Sequence, residues 1–371
     1  MKYVIYITLC VSFLFGCKKD ERYVIKGTLI GLQSPTLYFV SPSPTDEVIR
    51  IDTIQSENGK FLFKGSALGL VPVTIYMENG NVWTTLWAQN KDTILVSGDA
   101  NYPELIASDG NQTNNFLTDF RTKHADLLKE RRDLIDKQTS PIAQTDSLDP
   151  VLSPSEYKEK LAEIDRQLQE FAEEAILQNP SSIASLVLLQ DYLMDTADPQ
   201  LIQEYLSKMT DEVAQSPLFQ KLAEANAQIL KTIPGAPAPD FVLLDAQNDT
   251  VNLDVFKGSY FLLTFSASWC GLVDKDNDDL INLRKKIKTD DLKILTIALD
   301  SDRTAWTKIV EDKKLNWSHV VDTTGWDADI ISLYNITEVP SNVLIDKESI
   351  IVGRNLPSDS IIGIIEKTKK H

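Results

Sequence analysis

The stretch YFLLTFSASWCGLVDKDNDDL, residues 260–280, decides the fold of the C-terminal part of the chain. Its first six residues, Tyr260 to Phe265, form a near-continuous apolar run, which is typical of a central parallel strand covered on both faces. A second such run spans residues 293–299, and residues 271–289 between the two runs suit a crossover helix. The pattern predicts a β-strand, α-helix, β-strand unit, and Cys270 falls where the first strand passes into the helix.

The residues that follow this unit complete a small α/β domain. Residues 339–346 and 350–354 predict a terminal hairpin. Residues 358–370 predict a closing helix that carries its lysines at the C-terminal end, where they favour the helix dipole. The segment 233–240, which precedes the domain, is rich in proline and is expected to be stiff and extended.

Several motifs within residues 236–371 resemble, in kind and spacing, those of one protein family. They are Ala238-Pro239-Asp240-Phe241, Phe256-Lys257-Gly258, Phe265 to Gly271, Tyr334, Val339-Pro340 and Leu344-Ile345-Asp346. Together they resemble the thioredoxin-fold lipoproteins of the TlpA/ResA type, which are related to the AhpC/TSA proteins. The resemblance implies a thioredoxin fold over about a third of the chain and a thiol-disulfide oxidoreductase site.

The resemblance also implies roles for particular residues. Cys270 takes the place of the attacking thiol, at a helix start where the dipole favours a thiolate. Trp269 stands beside it, and Pro340 takes the place of the family's cis proline, with Val339 supplying backbone groups for an extended substrate peptide. Asp276 occupies the position where many relatives have a glutamate that assists proton transfer. We therefore expect Cys270 and Asp276 to be catalytic and Trp269, Val339 and Pro340 to bind substrate.

One position departs from the family pattern. Relatives have a second cysteine three residues after the first, and its thiol resolves the mixed disulfide. This chain has Val273 there, and an alkyl group cannot attack sulfur, so the site is degenerate. The acidic run at residues 274–279 stabilises a helix start but opposes a neighbouring thiolate.

Two functions from different classes therefore stay open. In the first, Cys270 exchanges disulfides alone, with extended polypeptide clients and an external thiol that releases them. In the second, the thioredoxin groove is a redox-inactive module that binds a peptide or protein. A third possibility is a scaffold in which Cys270 is only a packing residue. The sequence predicts no cofactor and no metal site.

The N-terminus predicts export and a lipid anchor. Residues 1–16 form a signal peptide, since an apolar run of about a dozen residues follows a lysine and is too short to span a bilayer. Leu14-Phe15-Gly16-Cys17 resembles a lipobox, which implies that Cys17 is lipidated. We therefore expect a bacterial cell-envelope protein, anchored by lipid to the outer membrane on its periplasmic or surface side.

Two further regions precede the thioredoxin-like domain of residues 233–371. Residues 17–108 alternate with period two, which predicts an antiparallel β-sandwich-like domain, and Asn58-Gly59 and Asn79-Gly80 suit its hairpin turns. Residues 109–232 are helical and predict an all-α spacer of four or five helices. Three N-cap residues followed by proline predict helix starts in it: Asn179-Pro180, Asp198-Pro199 and Ser216-Pro217. By layout, the β-rich domain resembles the N-terminal region of unknown function that often precedes the thioredoxin domain in such lipoproteins.

Three large side chains in these regions have competing interpretations. Trp83 and Trp87 fall on one face of a predicted strand, where they could form a platform for a sugar ring. Core positions are favoured for both, because the opposite face is apolar too. His124 lies on an apolar helix face and is expected to be a packed core residue.

Charge and cysteine usage exclude other classes of function. Lys and Arg total 37 and Asp and Glu total 54, so the net charge is 37 − 54 = −17, which repels a phosphate backbone and argues against nucleic acid as a partner. Of the three cysteines, Cys10 leaves with the predicted signal peptide and Cys17 carries the lipid. Cys270 is then the one free thiol of the mature chain.

Overall fold

The computed structural model describes residues 21–43, 48–77, 82–139, 153–245, 247 and 249–368. The predicted signal peptide, Cys17, the predicted Asn79-Gly80 turn and residues 140–152 lie outside these residues. The chain forms two compact units, of which the first ends at Tyr192 and the second begins at Leu193. The helices of the predicted spacer at 109–232 are therefore shared between the two units. Within the described residues, no helix is both long and apolar enough to cross a membrane.

The first unit begins with a sandwich of two four-stranded sheets. Its strands are β1 (Tyr23–Ile30), β2 (Thr36–Pro42), β3 (Ile49–Gln55), β4 (Lys60–Gly65), β5 (Val71–Met77), β6 (Val82–Ala88), β7 (Thr93–Asp99) and β8 (Ala107–Asp109). The sheet orders are β4-β1-β7-β8 and β3-β2-β5-β6. All neighbours are antiparallel except β1 and β7, which are parallel. The period-two pattern predicts the sandwich correctly but not this parallel pair.

Alternating side chains build the sandwich core. On β4, Phe61 and Phe63 are buried while Leu62 between them is exposed. Phe63 stacks on Phe39 of the facing sheet, with ring centroids 4.4 Å apart. Burying an aromatic side chain contributes roughly 1.5–3 kcal/mol, so such contacts hold the two sheets together. Asn58 and Gly59 form a tight turn with φ of 51° and 75°, but the strands β3 and β4 that they join lie in different sheets, so the predicted hairpin is wrong there.

Four helices follow the sandwich in the first unit. They are α1 (Gln112–Lys123), α2 (Ala125–Thr139), α3 (Pro154–Gln178) and α4 (Ile183–Tyr192). The buried amide of Asn114 fastens α1 to β6, because its Oδ1 accepts the Trp87 N–H at 2.8 Å and its Nδ2 donates to the Trp87 carbonyl at 2.7 Å. His124 stacks on Phe171 with ring centroids 4.1 Å apart, which confirms its core position.

The two tryptophans of β6 have different environments. Trp87 is buried, as expected, where α1 is fastened to the strand. Trp83 is 56% exposed, so its expected core position is wrong. The two side chains do share a face of the sheet, but no second layer covers that face at Trp83.

The second unit contains three helices of the predicted spacer and then the thioredoxin fold. Its helices are α5 (Pro199–Ser207), α6 (Asp211–Ala214), α7 (Pro217–Leu230), α8 (Val273–Lys286), α9 (Arg303–Lys313), α10 (Asp329–Leu333) and α11 (Ser358–Thr368). Its strands are β9 (Val242–Leu244), β10 (Thr250–Asn252), β11 (Tyr260–Ser266), β12 (Leu292–Ala298), β13 (Ser318–Val321), β14 (Ser341–Ile345) and β15 (Ile351–Arg354).

The helix starts predicted from proline are confirmed in two cases and wrong in one. Asp198 and Ser216 cap α5 and α7, with Pro199 and Pro217 at the first helical positions. Asn179 instead ends α3, because its side chain donates to the Ala175 carbonyl, and α4 begins only at Ile183. The described part of residues 112–232 holds seven helices, so the predicted number of four or five is too low.

The main sheet of the second unit has the order β13-β12-β11-β14-β15. β11, β12 and β13 are parallel to one another. β14 is antiparallel to β11, and β15 pairs antiparallel with β14 to complete the terminal hairpin. The predicted crossover helix is α8, and all seven residues of β11 are buried, as a two-sided strand requires. The carboxyl ends of the parallel strands meet at one sheet edge, where Cys270 lies.

The proline-rich segment before the domain is fixed to it by backbone hydrogen bonds. The Gly235 and Ala238 N–H groups each donate at 2.8 Å to carbonyls of Ile351 and Ser349. The Arg354 guanidinium donates to the Thr232 carbonyl and to the end of α10. The segment is therefore an integral part of the second unit.

Candidate active site

Cys270 lies in a tight turn between β11 and α8. Its N–H donates to the Ala267 carbonyl, and its own carbonyl accepts the Val273 N–H, both at 3.1 Å. α8 begins at Val273, and the N-cap Leu272 has no side chain that can accept a hydrogen bond. The positive end of the helix therefore follows the cysteine directly, without a capping side chain between them.

Cys270 and the Val339-Pro340 loop, which are predicted to lie together, are in contact in the structure. The Cys270 S–H donates to the Val339 carbonyl, with sulfur and oxygen 3.5 Å apart. The Val339–Pro340 peptide bond is cis. Cys270 is half-buried, so the thiol lies at the surface beside this backbone and is not sealed in the core.

Apolar side chains flank the thiol on its exposed side. Trp269 is 58% exposed although its Nε1 donates to the Leu299 carbonyl at 3.0 Å. Leu272, on the other side of Cys270, is 57% exposed. Exposed apolar groups next to a half-buried thiol are suited to contact an apolar or extended ligand.

Val273 occupies the position at which the family resemblance implies a resolving cysteine. Its side chain is buried and packs with Trp306, Ala298 and Cys270. The hydrogen bond from its N–H to the Cys270 carbonyl closes a single turn, so the two Cα atoms lie within about 7 Å of each other. A group at this position is therefore close enough to react with Cys270, but valine has none that can.

Asp276 lies one helical turn beyond Val273, on the same side of α8. Its Oδ2 is buried and has no hydrogen-bond partner within the described part of the chain. Burial, and then the charge of Asp279, raise the pKa of Asp276 to about 6. No hydrogen bond joins this carboxylate to Cys270 among the described residues, so its catalytic role stays a prediction. An unpartnered carboxylate costs stability, which is typical of functional positions.

The other acids of α8 are partly neutralised. Lys313 of α9 pairs with Asp274 at 3.1 Å and with Asp278 at 2.8 Å. These two aspartates raise the pKa of Lys313. The carboxylates of both pairs are exposed, so the pairs contribute little to stability. The two ion pairs bridge α8 and α9.

Within the described residues, no group of three or more acids, histidines or cysteines is placed to hold a metal ion.

The sequence patterns missed the contact that holds the cysteine loop in place. Asp300, at the carboxyl end of β12, is 3% exposed and accepts hydrogen bonds from the Ser268 N–H at 3.0 Å and from the Ser268 hydroxyl. Ser268 is two residues before Cys270. A polar residue at the carboxyl end of a parallel strand is the signal that could have identified Asp300.

A half-buried histidine lies on β13, beside β12, the strand that ends two residues before Asp300. His319 has its ring between those of Trp317 and Trp306, at centroid distances of 5.5 and 6.0 Å. Neither ring nitrogen has a hydrogen-bond partner within the described residues. Burial lowers the pKa of His319 to about 4. His319 is therefore neutral at pH 7.

These two groups predict opposite pH effects on stability. The His319 contribution is complete above pH 6.5 and is lost as pH falls towards 4, because protonation favours the unfolded chain. The penalty from Asp276 is complete above pH 6 and is relieved as pH falls towards 3.8. We expect Asp276→Asn to raise the free energy of unfolding by about 1–2 kcal/mol at pH 7.5 and by almost nothing at pH 4.

Urea unfolding at several pH values tests this expectation. His319→Gln is the matched variant, since it should remove the loss of stability between pH 6.5 and 4 while leaving the Asp276 effect in place. A pH-independent gain for Asp276→Asn would show that the carboxyl titrates normally in the folded protein.

Comparisons with known proteins support the thioredoxin-like fold of the C-terminal region. Residues 234–354 match the AhpC/TSA family, and residues 23–117 match a domain of unknown function, DUF4369. A thiol-disulfide oxidoreductase ResA of Bacillus anthracis is 31% identical over 138 residues, which cover 37% of this chain and 72% of that protein. The chain belongs to the ResA-like thiol-disulfide oxidoreductase family.

Other ResA-like proteins match the same region. The ResA of Bacillus thuringiensis subsp. konkukian is 32% identical over 120 residues, which cover 32% of this chain and 66% of that protein. The chain thus spans just under two thirds of that ResA. Among solved structures, a thiol-disulfide oxidoreductase from Bacteroides fragilis is 30% identical, with 36% of this chain and 98% of that chain covered and a TM-score of 0.34. A thiol:disulfide interchange protein from Bacteroides sp. is 27% identical, with 37% and 90% covered and a TM-score of 0.34.

Proposed function

We propose that this ResA-like protein exchanges disulfides through Cys270 alone and depends on an external thiol for release of the client. The observation that carries the proposal is the half-buried Cys270 sulfur, 3.5 Å from the Val339 carbonyl, with the buried alkyl group of Val273 in the resolving position. The thiol is accessible at the surface, and the Val339-Pro340 loop, which we expect to pair with the client backbone, lies beside it. The domain has no second cysteine that could resolve the mixed disulfide.

The reaction has two balanced steps. First, the Cys270 thiolate attacks one sulfur of a client disulfide, which forms a Cys270–client disulfide and expels the other client sulfur as a thiolate. Second, an external thiolate attacks the client sulfur of this mixed disulfide, which regenerates the Cys270 thiolate and joins the client to the external thiol. Cys270 is unchanged over the cycle.

The hydrogen bond to Val339 couples ionisation of the thiol to client binding. A thiol can donate to the Val339 carbonyl, whereas a thiolate cannot. Loss of the proton therefore frees this carbonyl to accept an N–H from an extended client at the moment when the sulfur becomes nucleophilic. Trp269 and Leu272 offer the apolar contact on the other side.

Trapping of an extended client tests the proposal. The full chain is mixed with an unstructured peptide that carries one disulfide to a small leaving thiol. We expect a 1:1 mixed disulfide that persists until an external thiol is added, and none with Cys270→Ser. If the adduct forms equally fast with the peptide and with the small disulfide alone, the groove has no role in client binding.

The redox-inactive binding module remains the second candidate function. The observation in its favour is that Val273 and the exposed Trp269 form an apolar surface without the resolving thiol. The same peptide without a disulfide separates the two functions. Binding of this peptide with unchanged affinity in Cys270→Ser, together with an unreactive thiol in the wild type, would favour the binding module.

We also propose that the protein is exported by its signal peptide and anchored to the cell envelope through lipid on Cys17. Support comes from the lipobox-like Leu14-Phe15-Gly16-Cys17. Two or more acyl chains would give stable anchoring, at ~0.8 kcal/mol for each buried methylene. We expect Cys17→Ser to move the protein from the membrane fraction to the soluble fraction after cell lysis. A variant that stays with the membranes would contradict the lipid anchor.

A further inference from the structure

The outer face of the sheet β3-β2-β5-β6 is the side turned away from the sandwich core. It differs in charge from the rest of this acidic chain. The outward residues of β2 alternate with buried Leu37 and Phe39, and the register carries the same face across all four strands. Within the described residues, no outward side chain on these four strands is charged. In a chain with net charge −17, this face is suited to an uncharged ligand.

Three aromatic rings form one row across the outer face. Tyr38 is the cross-strand partner of Tyr76, and Tyr76 is the partner of Trp83. The Tyr76 and Trp83 rings lie 6.1 Å apart between centroids and are tilted by 39°. Since neighbouring strands are about 4.8 Å apart, the row is about 10 Å long. Trp83, at its end, is 56% exposed, which is unusual for tryptophan.

A row of hydroxyl groups runs beside the aromatic row. Thr74 lies two residues before Tyr76 on β5, and Thr85 lies two residues after Trp83 on β6. The two threonines are cross-strand partners and lie on the same face as the rings. Their hydroxyl oxygens are 2.9 Å apart and hydrogen-bond to each other. Each hydroxyl has further capacity to donate or accept. The face therefore combines apolar ring surfaces with neutral hydrogen-bonding groups.

We propose that the outer face binds a neutral oligosaccharide across the Tyr38, Tyr76 and Trp83 row. The C–H faces of pyranose rings are apolar and suit aromatic rings, and their hydroxyl edges suit the Thr74 and Thr85 pair. The absence of charged side chains on the face disfavours an ionic ligand, which would lose hydration without gaining a partner. This proposal is independent of the Cys270 chemistry.

Calorimetric titration of the full chain tests the proposal. The probes are cellohexaose, xylohexaose and mannohexaose, with tetragalacturonic acid as the anionic comparison. We expect at least one neutral probe to bind with millimolar or tighter affinity and the anionic probe to bind at least ~10-fold more weakly. Trp83→Ala should weaken the neutral probe by at least ~10-fold, because it removes the most exposed ring of the row. Leu62→Ala, which changes an equally exposed apolar side chain on the other sheet, should have no effect.

Several outcomes would overturn the proposal. No heat from any of the three neutral probes at millimolar concentration would do so, as would equal binding of the anionic probe. Unchanged affinity in Trp83→Ala would place the ligand elsewhere. Sedimentation that shows a wild-type dimer, lost in Trp83→Ala, would assign the outer face to a second copy of the chain.

Discussion

Val273→Cys is expected to form an internal disulfide with Cys270 and to release a bound client without an external thiol. The two positions belong to one turn, closed by the bond from the Val273 N–H to the Cys270 carbonyl, and a disulfide requires Cα atoms 4.4–6.8 Å apart. The new thiol competes at an effective concentration of ~1 mM or more. With external thiol near 10 µM, release should therefore be on the order of 100-fold faster than in the wild type.

The measurement is the rate at which a preformed Cys270–peptide disulfide disappears, followed by mass spectrometry. Val273→Ala is the matched control, since it removes the same branched alkyl group without adding sulfur and should leave release as slow as in the wild type. If Val273→Cys neither oxidises internally nor releases the peptide, the turn does not bring the two side chains together. The lack of sulfur at residue 273 would then not explain why the wild type depends on an external thiol.

Asp300→Asn is expected to have the largest effect on stability among single changes near the site. The carboxylate of Asp300 accepts from the Ser268 backbone and hydroxyl in a buried environment. An asparagine would place N–H groups where one of these donors now points. Hydrogen bonds to charged groups contribute about 1.5–3 kcal/mol, so we expect a loss of about 2 kcal/mol in the free energy of unfolding.

Urea unfolding measures this loss of stability. The rate at which a thiol reagent modifies Cys270 in the folded variant measures the effect on the site. Ser268→Ala is the control, because it removes only the hydroxyl bond and should cost about 1 kcal/mol. A loss below about 0.5 kcal/mol for Asp300→Asn would mean that this contact does not hold the loop. An unchanged rate of Cys270 modification would mean that the position of the loop does not affect the thiol.

The C-terminal fold could be predicted because each of its strong signals is local. A continuous apolar run specifies β11, and a cysteine before a charged amphipathic segment specifies the start of α8. The pairing of Cys270 with Val339 came only from family resemblance, since 69 residues separate them and no periodicity links the two. The Ser268 and Asp300 contact could not be predicted in the same way, because it depends on the register of β11 against β12.

The errors in the first unit have a common physical cause. Sequence periodicity shows which residues share a face but not whether another layer covers that face. Trp83 and Trp87 share a face, yet only Trp87 lies where Asn114 fastens α1 to the strand. Asn179 shows that local sequence is ambiguous for helices too. An Asn-Pro pair fits the start of a helix and also the region just after a helix end, and Asn179 ends α3.

Two properties of Cys270 define the proposed reaction: the thiol reacts in the folded protein, and it cannot release its adduct alone. Both are measured by intact-mass analysis of the native full chain during incubation with excess cystamine, with Cys270→Ser as the control. We expect one cysteamine adduct on Cys270 that persists after the cystamine is removed and disappears when an external thiol is added. A thiol that stays unmodified until the protein is unfolded in urea would rule out the exchange reaction.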